Sequence, residues 1–449
     1  MAHHASDDPP RRLAPLRETV QMILDEAERQ GATAAEAGAS SRAGLEVGVR
    51  LGEVETVEHT RDNGLGVTVY FGHRKGSAST SDMSPQALRE AVAAACAIAR
   101  YTQEDPCAAL ADAGRMCREV SDLDLYHPWP ITPEQAIELA IACEDAARHC
   151  DPRITNSEGA SLSSYWGLQV YGNSHGFIGG YPTTRHGLSC SVIGEDGHGM
   201  QRDHWWSSAR APQDLDEAAA IGRRAAERTL ARLGARPITT RQAPVLFQAE
   251  VASGLMRHLI GAIQGASLYR RASFLVDRLG ERIFPSFVRI HEEPHRPRGL
   301  SSAPFDGDGV ATAAKDLVRD GVLQSYVLDS YAARKLGMET TGNAGGVRNL
   351  MIDMGSRDRN ALLAEMGSGL LVTELMGQGV NTVTGDYSRG AAGFWVENGT
   401  IQFPVEEITI AGNLETMFAG LVAVGNDCDY SGSTRTGSWL IDRMTIAGQ

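Results

Sequence analysis

The chain has 449 residues, enough for two or three domains, with 42% hydrophobic residues to build a sizeable core. Its formal net charge of −14 disfavours nucleic-acid phosphates, which demand clustered Lys/Arg, and an anionic membrane surface. There is no run of 18 or more apolar residues, so no transmembrane helix is expected.

The opening "MAHHASDDPPRRLAPL" lacks the apolar region of a secretory signal and reads as a mobile tail over 1–16. Residues 17–31 place Val20, Ile23 and Leu24 on one face of a helix. Alternating segments at 45–52, 54–60 and 64–72 predict an antiparallel meander. Ser84-Pro85 supplies an N-cap and a first helical residue for an Ala-rich helix to about Tyr101. Residues 103–131 read as a connection, and Thr132-Pro133-Glu134-Gln135 as a capping box opening a helix that ends near Cys150. Strands are expected at 165–172, 176–182, 185–195 and 199–209, then a helix over 214–233 closed by Gly234. The boundary falls in 235–244, giving an N-terminal domain over 17–234, divisible at 17–105 and 127–234, and a C-terminal domain over 240–449. Beyond the boundary come "VLFQ", a helix from about Glu250 to Gln264, and Gly-punctuated strands and loops. The fold class is α+β: an N-terminal antiparallel sheet with flanking helices, and a β-rich C-terminal domain packed around a long helix.

One motif demands a decision. "HEEPH", His291–His295, spells the His-Glu-x-x-His of zinc proteases, which requires an unbroken helix to present both imidazoles on one face. Pro294 sits before the second His, and Pro297 follows. An interior proline costs a helix roughly 3 kcal/mol, so the stretch reads as a proline-rich surface loop. The seven cysteines (96, 107, 117, 143, 150, 190, 428) include no C-x-x-C pair. They read as reduced thiols of a cytoplasmic protein.

Three runs, at 268–284, 297–346 and 383–427, resemble the family that contains TldD and TldE, the latter also called PmbA. "GDYSRGAAGFWVENG" (385–399) is similar to the TldE branch. The resemblance implies a cytosolic zinc metallopeptidase built as a TldD–TldE heterodimer that acts on unfolded peptides. An older label for the family is modulator of DNA gyrase. In the TldD branch zinc is held by His-Glu-x-x-x-His on a long helix and by a Cys near the C-terminus. The matching helix here is "GLMRHLIGAIQG" (254–265), where the first ligand position holds Arg257, the general-base position His258 and the second ligand position Ala262. A guanidinium stays protonated and a methyl group has no donor, so neither residue can bind zinc. The C-terminal stretch "SGSTRTGSWL" (431–440) has no Cys, and Cys428 lies upstream of the ligand position.

The resemblance therefore implies a TldE-like subunit with no catalytic residue and no metal of its own, inactive alone, with zinc in a TldD-like partner. A self-sufficient homodimer would need His258 with His291, His295 or Cys428. A non-catalytic regulator of gyrase is the third alternative. Val251, Leu255, Leu259 and Ile263 are expected to face the core, and His258 to be a hydrogen-bonded helical His. Arg257 either holds a peptide carboxylate or carbonyl in the cavity or makes a helix-surface ion pair. Asp386, Tyr387, Ser388 and Arg389 either line the substrate channel or form a turn, the turn being favoured. "HWW" (204–206) is an interface anchor or core, His198 and His204 flank it without an evident partner ligand, and "PFDGDG" (304–309) is a tight turn.

Overall fold

The computed structural model describes residues 9–197, 199–428 and 432–448. Four helices, α1 (Pro9–Arg29), α2 (Pro85–Tyr101), α3 (Pro133–Arg148) and α4 (Ala218–Ala231), accompany six strands. These are β1 (Ala34–Arg50), β2 (Glu53–Phe71), β3 (Arg74–Thr80), β4 (Ile154–Asn173), β5 (Ile178–Asp196) and β6 (Gly199–Ala209). They form one sheet in the order β3-β2-β1-β4-β5-β6, every pair antiparallel. Along β1, Ala35, Ala37 and Ala39 are buried beneath α1 and α2, and Leu45, Val47 and Val49 beneath α3 and α4. All six share one parity, so the four helices lie on one face of the sheet.

Local chemistry sets the helix starts. The Ser84 hydroxyl accepts from the Ala87 N–H, and Thr132 and Gln135 form the reciprocal capping box. Several expectations change, and the two strands expected at 176–182 and 185–195 are the single strand β5. Helix α1 begins at Pro9, so 9–16 is helical rather than tail; Leu13 and Leu16 extend the apolar face of Val20, Ile23 and Leu24 into the core. The tail over 1–8 lies outside the described residues. The segments 54–60 and 64–72 are one strand, β2, and β1 starts eleven residues before the expected Leu45, at Ala34. Its Ala-, Gly- and Ser-rich first half has little intrinsic strand preference and is held by packing.

The second half contains strands β7 (Arg241–Phe247), β8 (Ile290–Glu292), β9 (Lys315–Arg319), β10 (Val322–Leu323), β11 (Leu350–Ile352), β12 (Gly369–Met376), β13 (Asp386–Glu397), β14 (Thr400–Asn413), β15 (Leu421–Val424), β16 (Thr434–Arg435) and β17 (Trp439–Ala447). Its helices are α5 (Ala249–Ile263), α6 (Gly265–Tyr269), α7 (Ser330–Lys335), α8 (Arg359–Met366) and α9 (Leu414–Ala419). One sheet runs β10-β9-β8-β11-β16, the other β14-β13-β12-β7-β17-β15. Pairing of β14 with β17 closes the latter into a barrel. Helix α5 packs with the face bearing Val245, Phe247, Leu370 and Val372. Helix α8 covers the opposite face, through Leu246, Leu371 and Leu440.

The two halves are joined by hydrogen bonds from arginines to carbonyls. Buried Arg210, beyond β6, donates to the carbonyls of Thr184 (2.8 Å) and Leu300 (2.7 Å). From α7, Arg334 donates to the carbonyls of Cys107 (3.0 Å) and Ala109 (2.9 Å).

Candidate functional site

Helix α5 starts directly after β7, so its position is fixed by the barrel strand before it. Leu255, Leu259 and Ile263 are fully buried and Val251 is partly so, as their spacing predicts. Ala262 is also fully buried, its methyl group in the core. Arg257 is exposed and, among the described residues, makes no ion pair. Gly254 and Gly261 share a stripe with His258 at i, i+4 and i+7. A Cβ at either glycine would meet nothing within 4 Å. The helix therefore has an open trough along this stripe, and the trough is recessed, since Gly254 is itself buried.

Strand β13 supplies the facing wall. It is a strand through 386–389, not the favoured turn: Gly385 turns the chain in at φ +80°, and the ladder to β14 then runs from Asp386 onward. The pleat divides the four candidates between two faces. Asp386 and Ser388 point outward and are exposed; Asp386 accepts from the Thr384 hydroxyl (2.6 Å) and the Asn413 amide (3.3 Å), which hold its carboxyl below the usual range. Tyr387 and Arg389 point the other way. Tyr387 is 1% exposed, and its ring meets His258 edge to face, centroids 5.9 Å apart at 79°.

This small constellation is electrostatically unfinished. The Arg389 guanidinium stands beside the Tyr387 oxygen and lowers its pKa as a hydrogen-bond donor would, but the Tyr387 hydroxyl proton and the Arg389 Nε, both buried, face no acceptor among the described residues. Burial pushes the Tyr387 phenol up to about 12, opposed by the neighbouring Arg389. Burial, then Arg389, then Arg257 push His258 below the ordinary imidazole value, so it is neutral near pH 7. Among the described residues His258 makes no hydrogen bond, and its ring packs against Tyr387 instead.

The remaining candidates are dispersed. His291 lies in β8, near Glu293 (3.4 Å) and Asp353 (3.6 Å), while His295 is bonded to the Thr312 hydroxyl (2.9 Å). "HEEPH" is therefore not a helix, but neither is all of it a surface loop, because His291 and Glu292 are buried in β8. Glu292 accepts from Lys315 Nζ (2.6 Å), Asn343 (2.9 Å) and the Arg348 N–H (2.8 Å), a satisfied structural carboxylate. Asp306 accepts the N–H groups of Asp308 and Val310, making 304–309 the expected turn. Trp205 and Trp206 are half-buried, with Arg224 and Arg228 against the Trp205 ring, and His204 stacks on Trp206; His198 lies outside the described residues. Among the described residues, no three His, Cys, Asp or Glu side chains are grouped to hold a metal ion. A guanidinium at 257 and a methyl group at 262 leave His258 as the one possible donor of the three positions, a set that does not fit zinc.

Sequence reasoning missed a cleft of about 540 Å³ between the halves, lined by Trp205, Asp214, Glu250, Asp358, Asp427 and Cys428 among others. These residues come from well-separated segments, and no local pattern links them. Among the described residues, no helix is long and apolar enough to cross a membrane.

The fold is that of a metallopeptidase-family chain. Residues 240–448 match the PmbA/TldA metallopeptidase C-terminal domain, 126–233 the central domain and 35–99 domain 1. The chain belongs to the PmbA/TldD metallopeptidase family. It is 50% identical over 434 residues to the metalloprotease PmbA of Escherichia coli O157:H7, covering 97% of this chain and 96% of that one. A solved structure from Bacteroides thetaiotaomicron, described as a candidate modulator of DNA gyrase, superposes with a TM-score of 0.92 at 29% identity, covering 97% and 99% of the two chains. TldE from Thermococcus kodakarensis shares the fold, with a TM-score of 0.84 at 20% identity over 96% of this chain and all of that one.

Proposed function

We propose that this chain is the zinc-free, TldE-like subunit of a TldD–TldE metallopeptidase acting on unfolded peptides in the cytoplasm. The observation that carries this reading is the pair of side chains at the ligand positions of α5. Arg257 is a permanent cation at an exposed position, and Ala262 is a methyl group buried in the core. A TldD-like partner would hold zinc and the general base. This chain supplies a second wall that keeps folded proteins out and limits bulk water around the scissile bond. Its working unit is the 240–449 domain, carried on the 17–234 domain.

The experiment is co-expression with a TldD-like chain. The pair is expected to co-purify and to cleave an unstructured peptide in a chelator-sensitive manner, while this chain alone does not. Chelator-sensitive cleavage by the pure chain overturns the reading.

A further inference from the structure

We infer that the trough over α5 is a carboxylate-binding site that anchors an extended peptide, an assignment resting on the accessory-subunit reading above and naming the chemistry its wall recognises. Three independent features converge. The first is space: the stripe Gly254–His258–Gly261 leaves the helix face uncovered, and neither glycine Cβ would touch a neighbour. The second is unsatisfied donors. The Tyr387 hydroxyl, on a residue 1% exposed, has another donor, the Arg389 guanidinium, beside it, so its proton and the buried Arg389 Nε both lack an acceptor among the described residues. Such groups are rare in folded proteins because each forfeits its hydration, and a ligand oxygen restores what was lost.

The third feature is charge. Arg257 and Arg389 both act on His258, yet neither makes an ion pair among the described residues, although the chain as a whole carries −14. The carboxylate nearest in sequence to Arg389, Asp386, points to the other face of β13. A neutral His258 adds no competing charge and offers a flat ring edge. Two cations and a phenol donor with no acceptor match an incoming carboxylate, which accepts several hydrogen bonds at once and is bound well by guanidinium. A peptide carries that group at its C-terminus or on Asp and Glu side chains. Held there, the chain of the peptide is registered against the partner's reactive centre.

The test is calorimetric titration of the full-length chain with four probes. These are a short unstructured peptide with a free C-terminal acid and no acidic side chain, its C-terminal amide, the amide with one internal Asp, and inorganic phosphate. The acid, the Asp-bearing amide or both are expected to bind at least about ten-fold more tightly than the plain amide, as for a hydrogen bond to a charged group. Which of the two does so identifies the source of the carboxylate. R257A and R389Q are each expected to remove about ten-fold of that preference. Arg257 is exposed, so R257A keeps the question answerable if R389Q does not fold. Equal affinity for all three peptides, tighter binding of phosphate, or no binding of any peptide overturns the inference. Those results leave the accessory-subunit reading standing, which falls instead on zinc-dependent activity of this chain alone.

Discussion

Replacing Tyr387 by Phe removes one hydroxyl from a residue that is 1% exposed and leaves the ring, with its edge-to-face contact to His258 at 5.9 Å, in place. In most cores such a change loses a hydrogen bond and destabilises. Here the hydroxyl proton has no acceptor among the described residues and its oxygen meets only the Arg389 guanidinium, outside good hydrogen-bond geometry, so the folded state already bears much of its desolvation, worth about 1–3 kcal/mol. Deleting it relieves that cost and leaves a void of one oxygen atom, whose lost dispersion contacts return part of the gain. The net expectation is a stabilisation of about 1 kcal/mol for Y387F without ligand. The assay is urea denaturation followed by fluorescence, with the midpoint compared at unchanged slope. A carboxylate ligand should reverse the order, since only the wild type gains a hydrogen bond on binding. Destabilisation of the unliganded protein by more than about 1 kcal/mol would show that the hydroxyl is satisfied in solution, and would remove the argument for an unfilled site.

Further outcomes follow from the same geometry. His258 has a folded pKa below its unfolded value, through burial and then Arg389 and Arg257. Its contribution to stability is therefore fully present above the unfolded pKa, about 6.5, and is lost as pH falls through the folded pKa. NMR titration should place the imidazole midpoint below 6.5, and R257A should move it upward; a midpoint at or above the ordinary value refutes the assigned surroundings. Arg210 is buried and bonded to the carbonyls of Thr184 and Leu300, so R210M should lose about 2 kcal/mol by stranding buried acceptors, read as a lower denaturation midpoint. An unchanged midpoint would mean that the two halves do not depend on this link.

Much of the fold is legible where the signal is local. The capping box at Thr132–Gln135 and the Ser84-Pro85 start need only neighbouring residues, and both helices begin where those residues put them. Helix α5 falls within a residue of its expected ends because its apolar spacing survives in the structure. The first half of β1 is not legible, because alanine and serine gain their strand conformation from the helices above them. The 385–395 segment misleads for another reason. Gly385 and Gly390 look like turn punctuation, but Gly390 lies within the ladder, paired with Thr409 and Met376. The candidate site is half legible. Arg257, His258, Tyr387 and Arg389 each stand out from their neighbours in sequence, but the contact between α5 and β13 spans more than a hundred residues. The same pleat that brings Tyr387 and Arg389 to His258 carries Asp386 and Ser388 away.

The central claim is that α5 of this chain cannot hold a catalytic metal. Its most direct measurement is elemental analysis of the pure full-length chain, loaded with zinc and then dialysed. The account predicts a zinc-to-chain ratio near zero, unchanged by R257A or by replacement of His258. A ratio near one that is lost when His258 is replaced contradicts it.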